Sequence, residues 1–127
     1  MDLTSGSVAV MLPMSDATAA KAFYSDKLGL AFDGANSEHS LLYRLSSGTE
    51  LVLLPRPDQR PSPSTAISFE VADLPTAIAE LQERGVTFES YHLPEFTTVD
   101  HIWVMADQQA AWFKDPHGNV LCLHQHF

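Results

Sequence analysis

SVAVMLPMSDATAAKAFYSDKLGLAF, residues 7–32, and STAISFEVADLPTAIAELQERGVTF, residues 64–88, follow one plan. In the first, the apolar run Val8 to Met14 ends at Ser15-Asp16; in the second, Thr65 to Val71 ends at Ala72-Asp73, an offset of 57 residues. Runs of this length bounded by turn residues predict strands. After each acid the apolar spacing changes to that of a helix. Ala20, Phe23, Tyr24 and Leu28 share one face of Ala17 to Leu28, and Leu74, Ala77, Ile78 and Leu81 share one face of Leu74 to Arg84. Ser15 or Asp16, and Asp73, are suited to cap the helix starts, Pro75 sits where its missing N–H costs nothing, and Gly29 and Gly85 end the helices. Strands are expected to resume at Leu30 to Phe32 and at Val86 to Tyr91.

The units close alike too. Leu41 to Leu45, a turn at Ser46-Ser47-Gly48, then Thr49 to Leu54 predicts a hairpin; Ala110 to Lys114, a turn at Asp115-Pro116-His117-Gly118, then Asn119 to His124 predicts its counterpart. The plan is β-α-β-β-β written twice, an α+β fold. Unit one takes residues 5–55 and unit two 65–127, joined by a stiff segment at 55–64 that holds Pro55, Pro57, Pro61 and Pro63. Two such units forming a curved mixed sheet are expected to enclose a central cavity. Strand alternation puts Val10, Leu12, Leu51, Leu53, Ile67, Phe69, Leu121 and Leu123 under the helices. The opposite set, expected on the cavity side, is Ala9, Met11, Glu50, Val52, Leu54, Ala66, Ser68, Glu70, Val120, Cys122 and His124.

Composition narrows the function. The 127 residues suit one domain, and 45% are hydrophobic, enough to close a core. Seven basic residues stand against sixteen acidic ones, a formal charge of −9. Beyond residue 60 the balance is two against nine. Such a chain repels polyphosphate, so nucleic acids and anionic membrane surfaces are poor partners and cationic ligands are favoured. The single cysteine, Cys122, excludes an intrachain disulfide and a cysteine-pair zinc site. Asp2 and the lack of early basic residues argue against a secretory signal, no apolar run is long enough to span a bilayer, and a cytoplasmic location is expected.

Leu12-Pro13-Met14-Ser15-Asp16 followed by Ala22-Phe23-Tyr24-Ser25-Asp26-Lys27-Leu28-Gly29-Leu30, and then Ala111-Trp112-Phe113-Lys114-Asp115-Pro116-His117-Gly118-Asn119-Val120, resemble the vicinal oxygen chelate superfamily. That group takes in glyoxalase I, extradiol dioxygenases, fosfomycin-modifying enzymes and bleomycin-resistance proteins. The resemblance covers nearly the whole chain as a single domain over residues 1–127. It implies the glyoxalase/bleomycin-resistance/dioxygenase fold and, in metal-dependent members, a divalent ion held by His, Glu or Gln. Carried over, those ligand positions fall on Ala9, Val52, Ala66 and Cys122, of which three carry no donor. A substitute set of Cys122, His124 and His126 with His101 spreads too far, since alternate residues over five positions of a strand span about 13 Å. No metal and no cofactor are therefore expected.

What remains is a pocket of Met11, Val52, Ala66, Cys122 and Trp112, with Trp103 and Tyr43 as further candidates and Ser68, Glu70 and His124 as its polar members. Tyr43 is undecided between pocket and core. Glu70 is the one candidate general base, because an apolar surround raises a carboxylate's proton affinity, although a solvated rim carboxylate reads equally well. Cys122 as a nucleophile would need an activating base, and His124, two residues on, lies about 7 Å away. The segment 92–109 is long and apolar and reads as a lid, an extra strand or a dimer contact. The expected function is metal-independent binding of a small, cationic aromatic molecule, as in drug-sequestering resistance proteins. The alternatives are a dioxygenase, lyase or isomerase with a non-standard ligand set or with Glu70 as base, and a scaffold acting through residues 93–105. The resemblance also implies a homodimer.

Overall fold

The computed structural model describes residues 1–127, which divide into two compact units, Met1–Pro61 and Ser62–Phe127. In the first unit, strand β1 (Ala9–Met14) leads to helix α1 (Ala17–Lys21), followed by β2 (Phe32–Ala35), β3 (Leu41–Arg44) and β4 (Glu50–Pro55). The sheet order is β1-β4-β3-β2, with β1 parallel to β4 and the remaining neighbours antiparallel. Asp16 caps α1 by accepting from the Ala19 N–H at 3.1 Å. The helix does not stay α-helical to Leu28. It widens into a π-helical stretch over Ala22–Lys27, where the Leu28 N–H reaches back to the Phe23 carbonyl at 2.9 Å. Adjacent Phe23 and Tyr24 are both buried, and the wider turn lets both rings face the core. The core is Leu12, Met14, Phe23, Tyr24, Leu41, Tyr43, Leu51 and Leu53.

The second unit repeats this topology with one exchange. Strand β5 (Thr65–Glu70) is followed by α2 (Leu74–Glu83), a small hairpin of β6 (His92–Leu93) and β7 (Phe96–Thr97), and then β8 (Trp103–Val104), β9 (Gln108–Lys114) and β10 (Val120–His126). The sheet order is β5-β10-β9-β8, with β5 parallel to β10. Asp73 caps α2 by accepting from the Thr76 N–H at 3.2 Å, Pro75 lies in its first turn, and Gly85, at φ 91°, ends it. The helix packs on β9 and β10, and the Gln125 side-chain oxygen accepts from the Leu74 N–H at 2.7 Å and from the Gln109 side-chain amide at 3.0 Å.

The strand expected at Val86–Tyr91 is not formed. Only Phe88 bridges to Phe113, and the Glu89 N–H donates to the Trp112 carbonyl at 2.8 Å. Tyr91 is drawn off into the hairpin, exchanging bonds with Thr98: its N–H donates to Thr98 Oγ1 at 2.9 Å and its carbonyl accepts from the Thr98 N–H at 2.9 Å. The edge of β9 thus freed is taken by β8, with Trp103 opposite Ala110 and Val104 opposite Gln109. Of the three readings of 92–109, the strand reading is therefore realised in part. No helix is long and apolar enough to cross a membrane.

The hairpin between β9 and β10 is held by its turn. Asp115 Oδ1 accepts from the His117 N–H at 3.0 Å and the Asn119 N–H at 2.9 Å, and Oδ2 accepts from the Asn119 side-chain amide at 2.8 Å. Asp115 and Asn119 are both buried. Gly118 takes φ 97°, a conformation open to glycine at no steric cost. This turn fixes Trp112 opposite Cys122 and Ala110 opposite His124.

Candidate functional site

Within the second unit the register decides which side chains meet. Ser68 pairs with Cys122 and Cys122 with Trp112; Glu70 pairs with His124, His124 with Ala110, and Ala110 with Trp103. Aligned residues of neighbouring strands share a face, so Ser68, Glu70, Trp103, Trp112, Cys122 and His124 all stand on the side of the sheet away from α2. Leu121, Leu123, Ala111 and Phe113 alternate with them and are buried on the other side.

Four half-buried rings dominate this face. Tyr91 stacks on Phe96 at a centroid distance of 4.8 Å, and Phe96 meets Trp103 edge-on at 4.7 Å and Trp112 edge-on at 5.2 Å. Tyr91 and Trp103 approach Trp112 at 5.9 and 6.2 Å. The Trp112 indole is oriented by a hydrogen bond, its Nε1–H donating to Thr65 Oγ1 at 3.1 Å. Burial, then the nearby Glu89 carboxylate, raise the Tyr91 phenol above its ordinary range, so it is a neutral hydroxyl at physiological pH. Such a cluster offers stacking area and ring faces that attract cations.

At the end of the same face lies a polar group. The His124 and Ser68 side chains are bonded through Nδ1 and Oγ at 2.5 Å. His124 Nε2 and His126 Nε2 lie 3.7 and 3.1 Å from Glu70 Oε1. Glu70 is largely solvent-exposed, its side chain 67% accessible. It stands as a solvated rim carboxylate, outside the apolar surround that the general-base reading assumes.

Cys122 is buried, and its Sγ donates to the Leu123 carbonyl at 3.3 Å. Burial pushes its thiol above the ordinary range, with hydrogen bonding to Ser68 acting in the opposite direction. A protonated, enclosed thiol is a poor nucleophile and a poor ligand. Of the other positions implied to hold the family's metal, Ala9 and Ala66 present exposed methyl groups and Val52 a buried isopropyl group. These four residues do not fit that ion.

The first unit contributes different surroundings to its candidates. Met11 is exposed on β1, with Val52 buried opposite it. Tyr43 is core. It is fully enclosed, aligned with Leu51, and packed on Tyr24 and Phe32 at 5.9 and 5.5 Å; its hydroxyl is bonded to Ser25 Oγ at 2.8 Å. Sequence reading did not single out Tyr91, treated Phe96 only as part of an apolar segment, and considered His126 only within a substitute metal set too widely spread to close. The clustering of aromatic residues between 88 and 113 was the available signal.

The sequence model of one family matches residues 6–123: the Glyoxalase/Bleomycin resistance protein/Dioxygenase superfamily. Among solved structures, TnmS3, an antibiotic binding protein from Streptomyces sp. CB03234, is 27% identical with a TM-score of 0.69, covering 97% of each chain. A member of the superfamily from Sphaerobacter thermophilus is 26% identical with a TM-score of 0.73, covering 96% of this chain and 98% of the other. The fosfomycin resistance protein FosX from Listeria monocytogenes, at 14% identity and a TM-score of 0.72 over 97% and 94% of the two chains, shares the fold. No curated protein sequence matches. With its paired βαβββ units and a family match over nearly its full length, the chain belongs to the glyoxalase/bleomycin resistance protein/dioxygenase superfamily.

Proposed function

We propose that this protein binds a small aromatic molecule, preferentially a cation, on the four-ring face of its second unit, and that this binding needs no metal. The observation that carries the reading is the ring cluster itself. Tyr91, Phe96, Trp103 and Trp112 stay half-buried on the face away from α2, and one indole is fixed in orientation by Thr65. A partly desolvated aromatic surface is a ligand-binding surface by general physical expectation. The nine acidic and two basic residues beyond residue 60 favour a positive charge on the ligand. Similarity to TnmS3, an antibiotic binding protein, supports binding rather than turnover. The poor fit of Ala9, Val52, Ala66 and Cys122 to a metal supports independence from one. The family resemblance adds homodimeric assembly, which sedimentation equilibrium would test.

The test is a tryptophan fluorescence titration of chelator-treated protein with a planar aromatic cation of the aminoacridine type and with a naphthalene sulfonate as anionic counterpart. Saturable quenching by the cation, with the anion at least several-fold weaker, is expected. Lack of saturation by any aromatic probe, or saturation only after divalent metal is added, would overturn the reading.

A further inference from the structure

We propose that Glu70, His124 and His126 form a binding site for one divalent transition-metal ion of the zinc class, at positions different from those implied by the family. It goes beyond the aromatic-face reading and does not depend on it. The site sits at the ends of β5 and β10, where the parallel register places Glu70 beside His124 and the two-residue repeat of β10 brings His126 to the same side. One ligand atom from each residue lies within 4.8 Å of the other two. Two of the three separations, at 3.7 and 3.1 Å, bracket the donor spacing of about 3.4 Å that a tetrahedral ion with bonds of about 2.1 Å requires. The imidazoles stand edge to face, 79° apart with centroids at 5.1 Å, and the third side would close by rotation of these side chains.

The chemistry of the set suits such an ion. Two imidazoles and one carboxylate are borderline donors of the kind zinc accepts. His124 has the supporting contact that metal-bound histidines usually have. With its proton on Nδ1, that N–H donates to Ser68 Oγ and Nε2 presents its lone pair towards Glu70. The only lysine and arginine beyond residue 60 are Lys114 and Arg84, and Lys114 pairs with Glu89, whereas Glu70 pairs with the two imidazoles. Three protein donors leave a fourth position for water or an added ligand. A set drawn from β10 alone, running from Cys122 to His126, is too widely spread to close on one ion. Glu70, on the neighbouring strand, takes the place of Cys122 and removes that obstacle, because only two alternate positions of β10 are used.

The ordinary ion pair between Glu70 and the histidines is the competing account, and metal binding distinguishes them. The full-length, chelator-stripped protein would be titrated with zinc against a chromophoric chelator, and with cobalt(II) followed by absorption. Expected are one zinc per chain and a tetrahedral cobalt spectrum without a thiolate charge-transfer band. E70Q, H124N and H126N should each weaken zinc binding more than tenfold, and Ser68→Ala, which removes only the supporting contact, about tenfold. Cys122→Ser should leave it unchanged. Glu70, His126 and Ser68 are exposed, His124 is half-buried and Cys122→Ser is a near-isosteric change at a buried position, so the variants should fold, and circular dichroism checks that they do. Absence of saturable zinc binding, binding that survives E70Q and H126N, or loss of binding in Cys122→Ser would each overturn the proposal.

Discussion

Replacing Asp115 with alanine should destabilise the second unit by loosening the turn of its β9–β10 hairpin. The carboxylate accepts three hydrogen bonds, from the His117 and Asn119 N–H groups and the Asn119 amide, at 2.8 to 3.0 Å. Asp115 is only 7% exposed and Asn119 only 2%, so water cannot readily take its place. At about 1 kcal/mol or slightly more for each bond, with buried donors left unpaired, the loss is about 3–4 kcal/mol. That is a large part of the roughly 5–15 kcal/mol expected for a domain, but not all of it. Asp115→Asn keeps an oxygen for the two backbone donors and turns one amide against another, so it should cost about 1–2 kcal/mol. Urea unfolding at 25 °C measures both, with an unchanged slope as the sign that the folded states are comparable. A loss under about 1 kcal/mol for Asp115→Ala would refute the view that this turn sets the hairpin register, and with it the placement of Trp112 opposite Cys122.

Other outcomes follow from the same geometry. Trp112→Ala should weaken binding of an aromatic cation by about 5- to 10-fold, as expected for losing one stacking partner, while isothermal calorimetry on Tyr43→Phe, a change in the core of the first unit, should show no effect. Gly48 sits at φ 95° with open space where a β-carbon would stand, so Gly48→Ala should cost about 1 kcal/mol from backbone conformation alone, read from the thermal midpoint. The raised thiol of Cys122 gives an alkaline dependence. Below the ordinary thiol range both folded and unfolded chains hold the proton. As pH rises through that range the unfolded chain releases it first, so stability falls until the folded thiol also ionises. Cys122→Ala should flatten that part of the stability profile between neutral and alkaline pH; an unchanged profile would show that the thiol is not held in a desolvated site.

Much of the fold could be read from the chain because its signals are local. Asp16 and Asp73 cap helices through their own side chains, Gly29 and Gly85 take left-handed conformations, and the Asp115–Asn119 turn is written in five consecutive residues. The misread parts depend on competition between segments. Val86–Tyr91 has strand-like alternation, but Thr98 captures Tyr91 and Trp103–Val104 takes the β9 edge, and neither event has a local signature. Tyr43 could not be assigned to a face until the β3–β4 register aligned it with Leu51. The meeting of Glu70 with His126 depends on a parallel register that shifts between Val120 and Leu121, which residue spacing does not reveal. The π-helical widening at Ala22–Lys27 was invisible for a related reason, since the apolar pattern of Phe23, Tyr24 and Leu28 fits an α-helix equally well.

The most direct test of ligand binding at the aromatic face uses the two indole N–H groups of Trp103 and Trp112, the chain's only tryptophans, as separate nuclear magnetic resonance signals. Titrating ¹⁵N-labelled, chelator-treated protein with an aminoacridine cation should shift both signals saturably along one binding curve, with the larger change at Trp112, whose Nε1–H is bonded to Thr65. Saturable binding that leaves both indole signals in place would contradict the account.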